Sequence, residues 1–368
     1  MSEGEDVTIQ ADRLMALVAR LFVAAGLPER SACTVAGALV DADLDGQASH
    51  GVMLVEMYLD RIRAGSVSTE EAAVVVSDKG ATVVLDARHV LGHLTGNQSI
   101  EMAVERARRF GVGIVAVRHG FHFGTARRFA VQAAEADCFG IVMCNTRPLM
   151  PAPGGAERLV GNNPIAIAVP SNGPSPIVLD MATSEAAMGK IRMAEKAGQE
   201  IPETWAVRAD GSATTSPRDA VAGMLLPAAG AKGFALAFVI DLLCGLLSGG
   251  ASGDAVRPLY GNASIPYDCS HLFIAIDAAY FGDPARIRAA ATVAVERIHA
   301  ARRAPGVPQL FSPGEPEWCR RKSAGGQVNL TSAIAEMLVR QAKAVRVSAE
   351  PLARDDDPSQ QGPQHAEA

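Results

Sequence analysis

An α/β fold is the class this sequence predicts, and three observations predict it. Between residues 94 and 185, short β-branched runs alternate with helical faces, the pattern of strand–helix units. Three apolar runs end on polar loops. Ile114-Val115-Ala116-Val117 precedes His119-Gly120-Phe121-His122-Phe123-Gly124, Gly140-Ile141-Val142-Met143-Cys144 precedes Asn145-Thr146-Arg147-Pro148, and Ile177-Val178-Leu179 precedes Asp180-Met181-Ala182-Thr183-Ser184-Glu185. Ligands of α/β sheets collect outside strand ends, so an enzyme or ligand-binding protein is the first reading. Thirdly, residues 9–65 carry helical periodicity alone, which sets a helical part beside the sheet.

In chain order, Leu14, Leu17, Val18 and Leu21 repeat at helical spacing, and Pro28 opens a second helix carrying Cys33, Val35, Leu39 and Val40. A third helix is expected from Ser49-His50-Gly51 to Gly65. Val74-Val75-Val76 and Val83-Val84-Leu85 flank Asp78-Lys79-Gly80, which predicts a hairpin. Ile100, Ala103, Val104 and Ala107 give a helix before the strand at Ile114; Phe129, Val131 and Ala134 give another before the strand at Ile141. Pro164–Val169 and Ile177–Leu179 read as neighbouring strands. Residues 199–229, rich in Pro, Gly, Asp and Thr, read as a connection. Lys232 opens an apolar helix to Leu247, Leu272–Ile276 is a last strand, and helices follow over 283–301 and 332–344. The polar tail is expected to be disordered. The divisions expected are a helical part at 1–70, an α/β sheet domain at 71–300, a C-terminal helical part at 301–346 packing on the N-terminal helices, and a tail at 347–368.

Composition narrows the function. At 368 residues the chain exceeds one ordinary core, and 48% hydrophobic with 20% charged residues fits a globular protein. A formal charge of −6 without a basic block argues against nucleic acid as partner. The stretch from Phe234 to Leu247 contains Asp241 and falls short of the ~20 residues a spanning helix needs, so a buried helix is expected and no membrane. The acidic start lacks the marks of a secretory signal. Six scattered cysteines without a C-x-x-C pair read as small hydrophobes in a reducing, cytoplasmic setting.

No G-x-G-x-x-G follows a strand, and no P-loop, H-E-x-x-H or G-x-S-x-G occurs. The chemistry must therefore rest on individual loops. Ser49 is placed to cap a helix whose first turn holds His50, where the helix dipole favours the neutral imidazole a general base needs; Tyr58 follows near the same face. His119 and His122 lack a carboxylate or cysteine to complete a metal set, so no metal is expected, and His122 is placed to touch substrate or a cofactor ring. Thr183 and Ser184 read as helix caps whose free N–H groups can hold an anion, and Asp180 at an apolar strand end calls for a partner such as a histidine. Lys232 at a helix start opposes the macrodipole unless an anion sits between them. Pro313-Gly314-Glu315 is a tight turn with an acid.

Together these segments resemble the type 2 malate/L-lactate dehydrogenase family, which also holds ureidoglycolate, sulfolactate and diketogulonate oxidoreductases and cyclic imino-acid reductases. The resemblance runs from about residue 9 to about residue 340. Its further marks are Gly161-Asn162-Asn163-Pro164, Gly189-Lys190, Ile201-Pro202 with Trp205-Ala206, and Lys232-Gly233. It implies a mixed-sheet nucleotide-binding domain of non-Rossmann type with a helical domain, a homodimer, NAD or NADP as cofactor, and a small 2-hydroxy or 2-oxo acid as substrate. It implies hydride transfer at C2 with His50 as acid/base, His122 beside it and Asp180 polarising the histidine. Ser49, Tyr58 and Leu54 match substrate-side positions; Thr146, Asp180, Met181, Ala182, Thr183, Lys232, Pro313, Gly314 and Glu315 match cofactor-side ones. A cyclic imine (C=N) reductase and a non-catalytic ligand-binding relative are the competing readings. Two positions depart from the pattern: Leu54 stands where many members carry a carboxylate-binding arginine, and Gly120 stands where a serine precedes the loop histidine. Arg61, Arg63, Arg147 and Arg192 are left as substitutes for the missing arginine.

Overall fold

The computed structural model describes residues 6–352. The N-terminal strand β1 (Val7–Gln10) leads into α1 (Ala11–Ala24), α2 (Glu29–Leu44) and α3 (Val55–Arg63). The helical periodicity does what it predicts: Leu14, Leu17, Val18 and Leu21 are fully buried. The hairpin follows as β2 (Val74–Asp78) and β3 (Thr82–Asp86), then α4 (Gly92–Phe110), β4 (Val112–Gly120), α5 (Ala126–Glu135), β5 (Cys138–Cys144), β6 (Ile165–Val169) and β7 (Ile177–Met181). α6 (Met188–Ala197) comes next, and the expected connection at 199–229 holds more structure than its composition advertises: β8 (Ala206–Val207), α7 (Pro217–Ala222) and β9 (Met224–Leu225). The chain continues with α8 (Ala231–Ser248), β10 (Cys269–Asp277), α9 (Pro284–Ala300), α10 (Glu315–Ser323), β11 (Gln327–Leu330) and α11 (Ser332–Ala344).

The main sheet is mixed and seven-stranded, in the order β2-β3-β4-β10-β5-β6-β7, with β3 and β4 parallel and the other pairs antiparallel. Because β10 pairs antiparallel with both β4 and β5, those two strands run the same way. Their C-terminal ends therefore open on one edge, two strand spacings or about 10 Å apart. This topology collects the polar loops after β4 and β5 at one place.

A second core joins the two ends of the chain. β1 pairs with β11 over Val7↔Leu330 to Gln10↔Gln327, and residues of α1–α3 share one apolar cluster with Val328, Leu330, Leu338 and Ala342. Leu352 packs into the same cluster, so residues 347–352 of the expected tail are ordered; 353–368 lie outside the described residues. Arg321 of α10 clamps α2 through Asp41 (2.8 Å) and Asp45 (2.7 Å).

α8 is apolar all round and long enough to cross a membrane by length and composition. One face packs on the sheet through Ile240 and Cys244, while Leu236, Phe238, Val239, Leu246 and Leu247 stand exposed. Asp241 is buried in it and accepts hydrogen bonds from Asn145 Nδ2 (2.9 Å) and the Gly253 N–H (2.9 Å).

Candidate active site

Ser49, His50 and Gly51 do not begin an α-helix. They sit in two successive 3₁₀ turns, Ala48–His50 and Val52–Leu54, and α3 starts only at Val55. The organising residue is Asp43, which sequence reasoning missed. Its carboxylate accepts the Val52 N–H (2.9 Å) and occupies the space beside Gly51, where a Cβ would lie 2.0 Å from Oδ1. Burial raises the Asp43 carboxyl to about 7, against the Val52 bond. Ser49 is exposed and does not cap a helix; its Oγ lies 2.9 Å from His50 Nδ1. The helix-dipole argument for a neutral His50 is replaced by another cause: desolvation lowers its pKa.

The loop after β4 brings His122 to this turn. The His50 and His122 rings stack with centroids 5.7 Å apart and planes 23° apart. Tyr58 Oη and His122 Nδ1 share a hydrogen bond of 2.5 Å. Burial, reinforced by His50, His93 and His271, pulls the His122 pKa well below the usual histidine value. Burial likewise raises the Tyr58 hydroxyl well above its ordinary value, so it stays a phenol. Behind them lies His93, 1% exposed, 5.7 Å from the Tyr58 ring, with neither ring nitrogen hydrogen-bonded. Burial lowers it to about 3. It too escaped the sequence reading, since Gly92-His93-Leu94 carries no motif.

Asp180 is not hydrogen-bonded to a histidine, contrary to expectation. Its carboxyl, raised to about 6 by burial, takes a hydrogen bond from the Gln47 side chain and faces Arg127. The Gln47 carbonyl in turn accepts the His50 backbone N–H (2.8 Å), so Asp180 is tied to the His50 turn and not to the imidazole. Thr183 and Ser184 are not helix caps: α6 starts at Met188 with Ala187 before it. Ser184 Oγ donates to the Ala186 carbonyl (2.9 Å), and the 183–184 segment joins residues 227–228 by backbone bonds instead. Leu54 is 2% exposed and packs in the helical core.

The cofactor-side positions fall on the loop after β5, the end of β7, the start of α8 and the 313–315 turn. Thr146 follows β5; its N–H donates to Asn163 Oδ1 (2.8 Å), and its Oγ1 donates to Asn162 and Asn163. Gly161 closes against these groups, where a Cβ would stand 2.2 Å from Thr146 Oγ1. Met181 and Ala182 run from β7 to Thr183, whose N–H donates to the Asn162 carbonyl (3.1 Å) and whose Oγ1 is buried without a partner. Lys232 stands exposed at the start of α8, which no side chain caps. Pro313-Gly314-Glu315 docks on β7 through the Val178 N–H to the Pro313 carbonyl (3.0 Å), and Glu315 accepts from Ser312. A cleft of about 490 Å³ beside the α8 start is lined by Pro151, Glu185, Leu226, Pro227 and Gly230. A larger hollow, about 680 Å³, lies along residues 299–310, and neither hollow is lined by Thr146, Met181, Ala182, Thr183, Lys232 or the 313–315 turn.

An orphaned buried hydroxyl, an uncapped helix start with a lysine, and peptide edges along β7 fit a phosphate-bearing nucleotide. Among the described residues, no group of three or more His, Cys, Asp or Glu is arranged to hold a metal. A malate dehydrogenase of Pyrococcus abyssi is 35% identical over 317 residues, covering 84% of this chain and 86% of that protein. The NAD(+) ureidoglycolate dehydrogenase of Escherichia coli strain K12 is 34% identical, covering 86% and 90%. The solved sulfolactate dehydrogenase of Methanocaldococcus jannaschii superposes with a TM-score of 0.89 at 31% identity, over 94% of this chain and 99% of that one. Fold, site and relatives define the class: an enzyme, and an oxidoreductase of the dehydrogenase kind. More particularly, the malate/L-lactate dehydrogenase family model matches residues 9–338, and the chain belongs to that family. Its cofactor is NAD or NADP, as in relatives named for each.

Proposed function

We propose that the protein moves a hydride between the nicotinamide of NAD(P) and C2 of a 2-hydroxy acid or its 2-oxo partner, with the proton handled by the stacked pair His50 and His122. The observation that carries this reading is the pair itself, two half-buried, stacked imidazoles of lowered pKa with Tyr58 on one of them. The bound nicotinamide supplies the hydride acceptor for oxidation and the donor for reduction. The chain's own groups then do the rest. A neutral imidazole takes the hydroxyl proton during oxidation, and a protonated one returns it to the oxo oxygen during reduction.

Of the two rings, His122 is the better oriented for proton transfer. Its Nδ1 is fixed by a buried phenol, which can accept from Nδ1–H and leave Nε2 free for the substrate proton. The Nδ1 partner of His50 is an exposed serine. We therefore assign proton transfer first to His122, and to His50 a hydrogen bond to the same substrate oxygen. Thr146, Met181 to Thr183, Lys232 and the Pro313-Gly314-Glu315 turn would hold the nucleotide, with Lys232 and the α8 N–H groups on a phosphate. Asp180 braces the His50 turn through Gln47.

The test is a panel of 2-oxo acids with NADH and NADPH, followed by absorbance. It includes cyclic imine carboxylates, because a solved relative is named as a reductase of one. Turnover of 2-oxo acids is expected. No turnover in protein shown to bind the nucleotide would falsify the reading, and turnover of imines alone would move it to C=N reduction. We also propose a homodimer in the cytoplasm, with a second copy covering the outward apolar face of α8. Sedimentation should give the dimer mass at micromolar concentration.

A further inference from the structure

A 2-oxo acid needs a cation for its carboxylate, and position 54 holds a leucine sunk in the helical core. Four arginines could replace it, and the structure separates them. Arg61 is spent: its guanidinium donates to the carbonyls of Pro258 (3.1 Å), Leu259 (2.7 and 3.2 Å) and Ile265 (2.7 Å) and to Ser66 Oγ (3.3 Å). It is the clamp of the loop ahead of β10, buried because every N–H has an acceptor. Arg63 is on the surface with Asp60 (3.1 Å) and Gln341 (3.0 Å). Arg192 is exposed on α6.

Arg147 differs from all three. It lies three residues past β5, on the sheet edge where His122 lies two residues past β4, with only β10 between the strands. It is half-buried, yet it takes part in no ion pair or side-chain hydrogen bond among the described residues. The residues before it are anchored: Asn145 is tied to Ser270, Asp241 and Ala251, and Thr146 to Asn163. The groups within charge range are two more arginines, 158 and 192, and the Tyr267 phenol. Tyr267 stacks edge-on against Phe121, the neighbour of His122 (6.1 Å), and Phe121 against Tyr58 (5.4 Å). Arg158 commits its Nε and Nη2 to the Ala222 and Gly223 carbonyls, which fixes it as a neighbouring positive charge. A half-buried guanidinium facing cations and no acid is an unfavourable arrangement that an arriving anion relieves.

We propose that Arg147 is the carboxylate anchor of this enzyme: it pairs with the substrate carboxylate from the β5 loop and takes over the task that Leu54 cannot perform. The inference rests on the 2-oxo acid reading above. It places the carboxylate on the β5 side of the imidazole pair, across β10, and lets the carbonyl at C2 reach His50 and His122.

The experiment compares wild type, Arg147→Gln, Arg147→Lys and Arg192→Gln. KM and kcat are measured on the best 2-oxo acid of the panel, with NADH affinity by fluorescence and oxamate binding to the NADH complex by calorimetry. Arg147→Gln should raise KM and the oxamate Kd on the order of 10²-fold, with kcat changed far less and NADH affinity within about twofold. Arg147→Lys, which keeps the charge but loses the fork, should recover part of the loss, and Arg192→Gln should change KM less than tenfold. Unchanged KM and oxamate affinity in Arg147→Gln overturns the proposal, as does a loss confined to NADH, which would put the guanidinium on a nucleotide phosphate. A wild type that binds NADH but neither binds oxamate nor reduces any 2-oxo acid overturns the functional reading itself, and the anchor with it.

Discussion

His119 and His122 stand three residues apart on one strand end and have opposite surroundings. The His119 side chain is 41% exposed, with Nδ1 2.9 Å from Asp86 Oδ1, in a cluster that includes Arg118. Burial works against the Asp86 charge, but bonds from His119, the Arg88 N–H and Arg118 outweigh it and hold the carboxyl below its usual value. His122 has no carboxylate; it has Tyr58, a second imidazole and burial. The second setting disfavours a proton on the ring. Two residues of one type on one loop thus become a surface tie and a base, and only the packing around them decides which.

The largest effect should come from the buried member. His122→Asn keeps a hydrogen-bonding group but no base in the working range, so kcat should fall on the order of 10³-fold with NADH affinity retained. His50→Asn should fall less, about 10-fold to 10²-fold, if that ring only holds the substrate oxygen. The reverse order would return the acid/base role to His50. Next in size is Tyr58→Phe, which frees the His122 ring; kcat should fall about 10-fold to 10²-fold. In the oxidation direction the acid limb of kcat/KM in wild type should lie below pH 6.5, because both rings have lowered values. An acid limb at or above the ordinary histidine value would show that desolvation does not govern the pair.

Burial also leaves a mark on stability. His93 and His271 hold values of about 3 in the fold against 6.5 unfolded. Their contribution is complete above pH 6.5 and is lost as pH falls from there toward 3, at about 1.4 kcal/mol per pH unit for each ring. Asp43 and Asp180, raised to about 7 and about 6, act in the opposite sense over most of that window, since acid neutralises a charge the fold disfavours. The net slope mixes both, so a difference isolates the histidine. Between pH 6 and 4, the unfolding free energy of wild type should drop relative to His93→Asn by about 1.4 kcal/mol per pH unit, measured by urea denaturation. Parallel curves would mean that His93 is protonated in the fold.

How much of this was legible in sequence follows the same line between local pattern and packing. The strand ends that deliver His122, Thr146 and Asp180, and the lysine at the start of α8, are local, and the alternation of apolar runs announces them. The Ser49-His50-Gly51 segment was misread as a helix start, because what shapes it is Asp43, six residues upstream of Ser49, filling the space at Gly51. The Thr183-Ser184 caps failed because that segment pairs with residues 227–228, a partner without a local signal. The β1–β11 pair joins four-residue strands from the two chain ends, beyond any window of periodicity. α10 did carry a readable sign: Pro316 near its start, Glu315 and Glu317 in its first turn and Arg320 to Lys322 in its last follow the helix dipole.

The smallest effect belongs to His119, and it is the sharpest test of the contrast. His119 sits at φ +49, in the left-handed region, so a β-branched replacement would add backbone strain and confuse the result. Asparagine tolerates that region well, so His119→Asn removes the imidazole and its tie to Asp86 while leaving the turn at ease. Asp86 keeps Arg118 and the Arg88 N–H, so the carboxylate is not orphaned. A partly exposed ion pair contributes about 0–1 kcal/mol, so the melting temperature should move by no more than about 3 °C. The enzymatic readouts should not move: kcat within about twofold and the same acid limb as wild type. If His119→Asn instead shifts that limb, the two histidines exchange a proton along the loop, and the division between tie and base drawn from their surroundings fails.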